Sequence, residues 1–168
     1  MSISGDKAAF LKIIQEHRGI IYRICHVYTD TPEDWKDLSQ EILAQLWTSH
    51  ASFEGRSAFS TWMYRVALNT ALMHRRKNAK RPESTELKDH HLIAEFEDDE
   101  EVKMLYSCIH RLKKLDRAIV LLHLEQKTYN EIAAITGLSS GAVSVRLVRI
   151  REKLKTCLLS MGIKEGAE

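Results

Sequence analysis

Only two prolines, Pro32 and Pro82, interrupt this chain of 168 residues. Between and after them, apolar side chains recur every three to four positions. Proline inside a helix removes a hydrogen bond and clashes with the preceding turn, so its scarcity leaves long segments free to coil. The recurring spacing gives those segments one apolar face each. No stretch keeps the alternation of a half-buried strand. These features predict an all-α chain.

The spacing predicts a first helix over residues 7–28, with Phe10, Ile13, Ile14, Ile20, Ile21, Ile24 and Tyr28 as its apolar stripe. A second begins at Thr31, Pro32, Glu33 and Asp34. Threonine caps the orphan amides, proline suits the first helical position, and acids favour the positive helix end. Leu38, Ile42 and Leu46 then fall on one inward face. A turn at residues 52–57 leads to a third helix over 58–79, with Phe59, Trp62, Met63, Val66, Thr70 and Met73 inward. Four more are predicted over residues 102–111, 115–125, 128–136 and 139–159.

Charge divides the chain into three blocks. Residues 1–81 carry 12 Lys/Arg against 8 Asp/Glu, residues 82–101 carry 1 against 9, and residues 102–168 carry 12 against 6. The overall charge of +2 therefore hides a strongly acidic segment between two basic ones. Two basic blocks flanking an acidic one suggest two polyanion-binding units and a linker. Fully extended, 20 residues reach about 65–70 Å, and like charges favour extension. The predicted architecture is two small helical domains, 1–81 and 102–168, joined by the acidic linker 82–101.

The C-terminal domain carries a helix-turn-helix pattern. Thr128 and Glu131 have capping-box spacing, Gly137 supplies a left-handed turn residue, and Ser139 or Ser140 caps the next helix. On that last helix Val143, Leu147, Ile150 and Leu154 share the core side. Gly141, Val145, Val148, Arg149 and Glu152 fall opposite, with Ser144 at the edge. Exposed valines serve no folding purpose. In a major groove they would touch thymine methyls, and Arg149 would pair with a guanine edge or a phosphate. A hydrophobic patch for a protein partner is the competing reading. Arg146, Arg151, Lys153 and Lys155 surround the face and suit phosphates.

Several classes are set aside. No apolar run approaches the roughly 20 residues a membrane span needs. The opening residues Met1 to Asp6 lack the basic stretch and apolar core of a secretion signal. The expected location is cytoplasmic. Cys25, Cys108 and Cys157 are odd in number and far apart, so no disulfide framework is expected. No metal-ligand spacing, nucleophile–base pair or phosphate-cradling loop occurs. The chain is not expected to be an enzyme, to hold a metal or cofactor, or to take a small-molecule substrate.

Three motifs, in order, carry a family resemblance. One is Asp37, Leu38, Ser39, Gln40 and Glu41. The second runs from Phe53 to Thr70 (FEGRSAFSTWMYRVALNT). The third runs from Tyr129 to Val143 (YNEIAAITGLSSGAV) and continues to Arg146 and Arg149. Together they resemble the extracytoplasmic-function sigma factors, the smallest class of bacterial sigma factor. The resemblance implies an N-terminal domain that binds the polymerase clamp and opens the minus-ten element. It implies a C-terminal domain that reads the minus-thirty-five element, and a linker threading the polymerase. The implied partners are core RNA polymerase, through its β′ clamp and β flap, and promoter DNA; an anti-sigma factor is a common further partner.

By the same resemblance Asp37, Leu38, Gln40 and Glu41 bind core polymerase. Phe53, Gly55, Arg56, Ser57, Phe59 and Asn69 hold the minus-ten strand, and Arg75, Arg76 and Lys77, with Lys80 and Arg81, clamp its backbone. Ser140, Ser144, Val145, Arg146, Val148 and Arg149 contact the minus-thirty-five element. Spacing favours core packing for Trp62. Many family members carry Arg or Lys where this chain has Ser144, and a polar residue where it has Val145, so the minus-thirty-five sequence itself stays open. The chain stops soon after its last helix, and no added sensor domain is expected. A free-standing helix-turn-helix regulator is the alternative; such proteins are usually dimers, and no dimerisation segment is evident.

Overall fold

The computed structural model describes residues 7–74 and 99–164. The described residues form helices and turns and no strand, in two separate units that divide between Glu86 and Leu87.

The first unit contains α1 (Lys7–Glu16), α2 (Arg18–Tyr28), α3 (Pro32–Ser49), a 3₁₀ turn (His50–Ser52) and α4 (Phe59–Met73). The predicted first helix is two helices. The ladder breaks at His17, whose φ of −107° and ψ of 13° leave the α region. The His17 amide is shared between the carbonyls of Ile13 and Ile14, at 3.1 and 3.2 Å. The ring Nδ1 also sits 3.0 Å from the Ile13 carbonyl, a local side-chain bond that competes with the helix ladder. α3 starts as predicted, with the Thr31 hydroxyl accepting from the Asp34 amide at 3.1 Å and Pro32 in the first turn.

α2, α3 and α4 pack against one another, and α1 lies on α2. Ile24, Leu38, Ile42, Leu46 and Met63 are fully buried between them. Each such side chain contributes about 1.5–3 kcal/mol. The predicted third helix stops early: α4 ends at Met73, and His74 turns to extended backbone. Met73, expected inside, is 81% exposed: it lies on the outer side of the last turn of α4, whose Thr70 and Ala71 are buried.

The second unit contains α5 (Glu100–His110), α6 (Lys114–Leu124), α7 (Tyr129–Thr136) and α8 (Ser140–Ser160). Residues 82–98 of the predicted linker lie outside the described residues. Its last three serve a helix: the Asp99 carboxylate caps the Glu101 amide at 2.9 Å, and Glu100 and Glu101 occupy the first turn of α5. Acids there meet the positive end of the helix dipole. α8 is the spine, with α5, α6 and α7 packed on it. Ile109, Ile119, Leu121, Leu122, Ile132, Leu147 and Ile150 form the core. The Arg117 guanidinium donates to the carbonyls of Leu112, at 2.9 Å, and His110, tying α6 to the end of α5.

The cysteine expectation is overturned. Cys108 of α5 and Cys157 of α8 form a disulfide, with Cα atoms 5.9 Å apart. Spacing along the chain did not reveal it, because 49 residues separate the two and only the packing of α5 on α8 joins them. Closing a loop of that length restricts the unfolded chain by about 4 kcal/mol. Cys25 stays a thiol, fully buried in the first unit. Burial pushes its pKa up to about 12.

Candidate nucleic-acid and polymerase interfaces

The helix-turn-helix is built by local chemistry. The Thr128 hydroxyl accepts from the Glu131 amide at 3.2 Å, and the Glu131 carboxylate accepts from the Thr128 amide at 2.7 Å. The Thr128 amide foremost, and then the Thr128 hydroxyl, hold the Glu131 carboxyl below its usual range. Gly137 ends α7 at φ +77°, a left-handed conformation that costs glycine nothing. The Ser139 hydroxyl then caps α8 through the Ala142 amide at 3.1 Å. The chain turns by 101° between α7 and α8, within the range of helix-turn-helix motifs.

α8 divides its residues by depth. Val143, Leu147, Ile150 and Leu154 are buried. Val145 and Val148 stand 52% and 58% exposed beside exposed Arg149. Ser140 and Ser144 are half-buried at the edge of this face. Arg146 also reaches inward, donating to the Asp116 carboxylate of α6 at 2.9 Å. Asp116 is only 6% exposed, and Lys153 lies 4.0 Å from its other oxygen. The acid sits in a groove whose lining includes Lys113, Val145, Arg146, Arg149 and Lys153. Arg151 donates to His123 Nε2 at 3.1 Å. Asp116 was not foreseen in the sequence. Its position between Lys113, Lys114 and Arg117 was the available signal.

In the first unit the turn after the 3₁₀ segment carries Gly55 at φ +70° and an exposed Arg56 paired with Glu54. Ser57 is exposed. Beneath this turn Phe53, Phe59 and Trp62 form a cluster: Phe53 stands edge-on to Phe59 with centroids 5.5 Å apart, and Trp62 lies 5.3 Å from Phe59 and 5.5 Å from Phe53. His17, unforeseen in the sequence, completes it from the helix break, 5.4 Å from Phe59. Trp62 is 9% exposed, in agreement with core packing. Phe53 and Phe59 are half-buried. Asn69 is exposed on α4, about 15 Å along the axis from Phe59 at 1.5 Å per residue. Arg75, Arg76, Lys77, Lys80 and Arg81 lie outside the described residues.

On α3, Gln40 and Glu41 are exposed and Asp37 is half-buried. Leu38 does not join them. It is completely buried with Ile42 and Leu46, because its position on the helix faces the core. Glu41 is held: His74 Nδ1 lies 2.7 Å from its carboxylate. A carboxylate only accepts, so Nδ1 carries the proton. The opposite ring nitrogen is buried without a hydrogen-bond partner. Further along α3, Trp47 is 42% exposed and stacks on His50 at 4.7 Å, with Leu43 40% exposed one turn before it. Among the described residues no group of three or more His, Cys, Asp or Glu is arranged to hold a metal ion.

Comparison with known proteins gives a consistent picture. Residues 13–81 match sigma-70 region 2, and residues 103–154 match sigma-70 region 4. The extracytoplasmic-function RNA polymerase sigma-E factor of Haemophilus influenzae is 29% identical over 167 residues, covering 90% of this chain and 88% of that protein. The RNA polymerase sigma-H factor of Pseudomonas aeruginosa is 28% identical over 174 residues, covering 92% and 88%. The sigma-E factor of Escherichia coli is 28% identical over 166 residues, covering 89% and 86%. Among solved structures, CnrH in complex with the cytosolic domain of CnrY shares the fold with a TM-score of 0.68 at 22% identity, covering 96% of this chain and 94% of that one. The sigma factor RpoE of Bartonella quintana, in complex with the anti-sigma factor NepR, does so with 0.67 at 20% identity, covering 90% and 99%.

Proposed function

The chain belongs to the extracytoplasmic-function sigma factors, which direct bacterial RNA polymerase to promoters, and we propose that its two units divide that work. Residues 1–81 engage the polymerase clamp and the minus-ten element. Residues 102–168 engage the flap and read the minus-thirty-five element. The acidic segment 82–101 is the tether between them. The polymerase supplies the chemistry and this chain supplies promoter choice, so the protein acts where transcription occurs, in the cytoplasm. No single described helix is long and apolar enough to cross a membrane.

Asp37, Gln40 and Glu41 meet a basic surface of the clamp. Asp37 and Glu41 lie one turn apart on α3, so both reach the same partner. Phe53, Gly55, Arg56, Ser57 and Phe59 receive an unpaired minus-ten base, and Asn69 is a second contact farther along α4. Arg75, Arg76 and Lys77 hold the backbone. Stacking a base on a protein ring is worth about 1–3 kcal/mol, comparable to the cost of extruding it from the duplex. Such a pocket traps an opened strand without an energy source.

Val145 and Val148 touch thymine methyls, Arg149 pairs with a guanine edge, and Ser140 and Ser144 bond nearby bases or phosphates. Arg146, engaged with Asp116, serves chiefly to fix the rotation of α8. The observation that carries this reading is the outward pair of valines beside Arg149 on a helix whose other side is core. The two solved structures of the same fold were each captured with a partner, so an anti-sigma factor is part of the proposal. The matched region 2 speaks against a free-standing helix-turn-helix regulator.

Transcription by core polymerase on a genomic library, with and without this chain, tests the reading. The expected start sites share two upstream elements at fixed spacing, and Arg149→Ala lowers use of promoters with particular bases in the upstream element. A chain that neither associates with core enzyme nor selects start sites would overturn it.

A further inference from the structure

Transcription takes place in a compartment that keeps thiols reduced, and a disulfide found there is usually transient, catalytic or redox-sensing. The Cys108–Cys157 bond therefore calls for a function beyond stapling the fold. Its position supplies one. Within α5 only Cys108 and Ile109 are buried. The last buried residue of α8 is Leu154, three positions before Cys157. The disulfide is therefore the covalent tie between the C-terminal part of α5 and the end of α8, beyond the buried core of α8. Met161 adds a thioether 3.6 Å from the Cys108 sulfur.

The two sulfurs differ in access: Cys108 is 1% exposed, whereas Cys157 is half-buried. Exchange therefore begins at Cys157. We propose that Cys108 and Cys157 form a reversible thiol–disulfide site, served by small thiols and disulfides of the glutathione class, whose oxidised form fastens the promoter-reading unit. The inference rests on the sigma-factor reading for its consequence, though not for its chemistry.

The electron balance is simple. A small thiolate attacks the Cys157 sulfur, the bond to Cys108 breaks, and Cys108 leaves as a thiolate that takes a proton. A second small thiol attacks the small-molecule sulfur of the mixed disulfide and releases the Cys157 thiolate, which is protonated in turn. Two electrons pass to the protein, two protons end on its thiols, and one small disulfide is produced. Oxidation is the reverse, with the small disulfide as oxidant. Cys25 stands outside this cycle, since burial keeps it a protonated thiol.

α5 is the element through which the chain enters the second unit. With the bond open, α5 keeps Ile109 and the Arg117 bonds at its end but loses its covalent tie to α8, so its local opening costs less. The α6–α7–α8 core keeps its own buried residues. The oxidised form is thus the better promoter reader, and oxidising conditions raise its output.

The test uses the full chain equilibrated in buffers of varied glutathione to glutathione-disulfide ratio. Free thiols are counted by maleimide mass shift after a denaturing quench, and run-off transcripts are measured with core polymerase. The expected count passes from three thiols to one in a single two-electron transition, and the oxidised form transcribes about fivefold more, an ordinary coupling magnitude. Amide exchange in Glu100–His110 is expected to accelerate on reduction. Cys157→Ser should transcribe at the reduced level in every buffer, while Cys25→Ser should follow the unaltered chain.

Three thiols at every ratio, or one at every ratio, would overturn the reversible site. Equal transcription or equal α5 exchange in the two states would overturn the gating. Absence of transcripts in both states would overturn the promoter reading and the gating with it, whatever the thiol count.

Discussion

The two units are held by different means. The first relies mainly on apolar packing, with a Thr31 cap and a His74–Glu41 contact outside its core: three mutually packed helices bury Ile24, Leu38, Ile42, Leu46 and Met63, and its cysteine stays unpaired. The second adds a capping box, a left-handed glycine, a buried acid bonded to its spine helix and a disulfide. The contrast follows the roles proposed for them. A unit that traps an unpaired strand presents half-buried rings on a turn, where adjustment is tolerated. A unit that reads base edges has to fix the rotation of one helix, and directional bonds do that better than packing alone. Within the second unit, core residues of α8 hold its depth, whereas the Asp116–Arg146 bond and the Ser139 cap hold its angle and start.

Five substitutions break or sharpen this contrast. The largest is Leu147→Ala at the centre of the second unit. Removing a fully buried leucine should cost about 2–5 kcal/mol. Urea unfolding followed by hydrogen exchange should show the second unit melting early and the first unchanged; joint loss would mean the units are not separately stable.

Asp116→Ala comes next. It removes a charge-assisted bond and should cost about 2 kcal/mol, less than for a fully enclosed pair because Arg146 is 40% exposed. It also frees Arg146 and Lys153. Binding to random-sequence DNA should strengthen and become more salt-dependent, while discrimination at the minus-thirty-five element falls. Unchanged discrimination in a filter-binding series would remove Asp116 from its positioning role.

Thr128→Ala should cost about 1 kcal/mol by uncapping α7. A linked effect concerns pH. Glu131 has its carboxyl pKa lowered by the Thr128 amide and hydroxyl. Its contribution is therefore complete above the ordinary glutamate range and is lost as pH falls through the lowered value. Glu131→Gln should flatten the acid limb of the second unit's stability curve and leave that of the first as it was. An unchanged acid limb in thermal melts would refute the link.

The smallest expected stability change is that of Val148→Ser, within about 0.5 kcal/mol because the side chain is mostly exposed. Its effect on promoter choice should be far larger, about 1–3 kcal/mol at one base position, read by competition among promoter variants. A large fall in melting temperature would make Val148 a packing residue instead.

Helix positions and their caps were legible in the sequence because both depend on neighbours along the chain. Thr31, Thr128, Gly137 and Ser139 act within a few residues of themselves, and the inward faces of α3 and α8 follow from spacing. Val145 and Val148 stood out for the same reason, as apolar residues on the wrong side. Leu38 was misplaced among the contact residues by its motif, although its spacing already put it in the core.

What the chain determined by itself was thus its local order: helices, caps, the acidic divide and the identity of the outward face on α8. Tertiary structure alone decided that Cys108 meets Cys157, that Asp116 takes Arg146, that His74 holds Glu41, and that the His17 ring meets Phe59. These pairings join side chains far apart in the chain. Only the packing of one helix on another brings them within bonding distance, and spacing along a chain carries no measure of that.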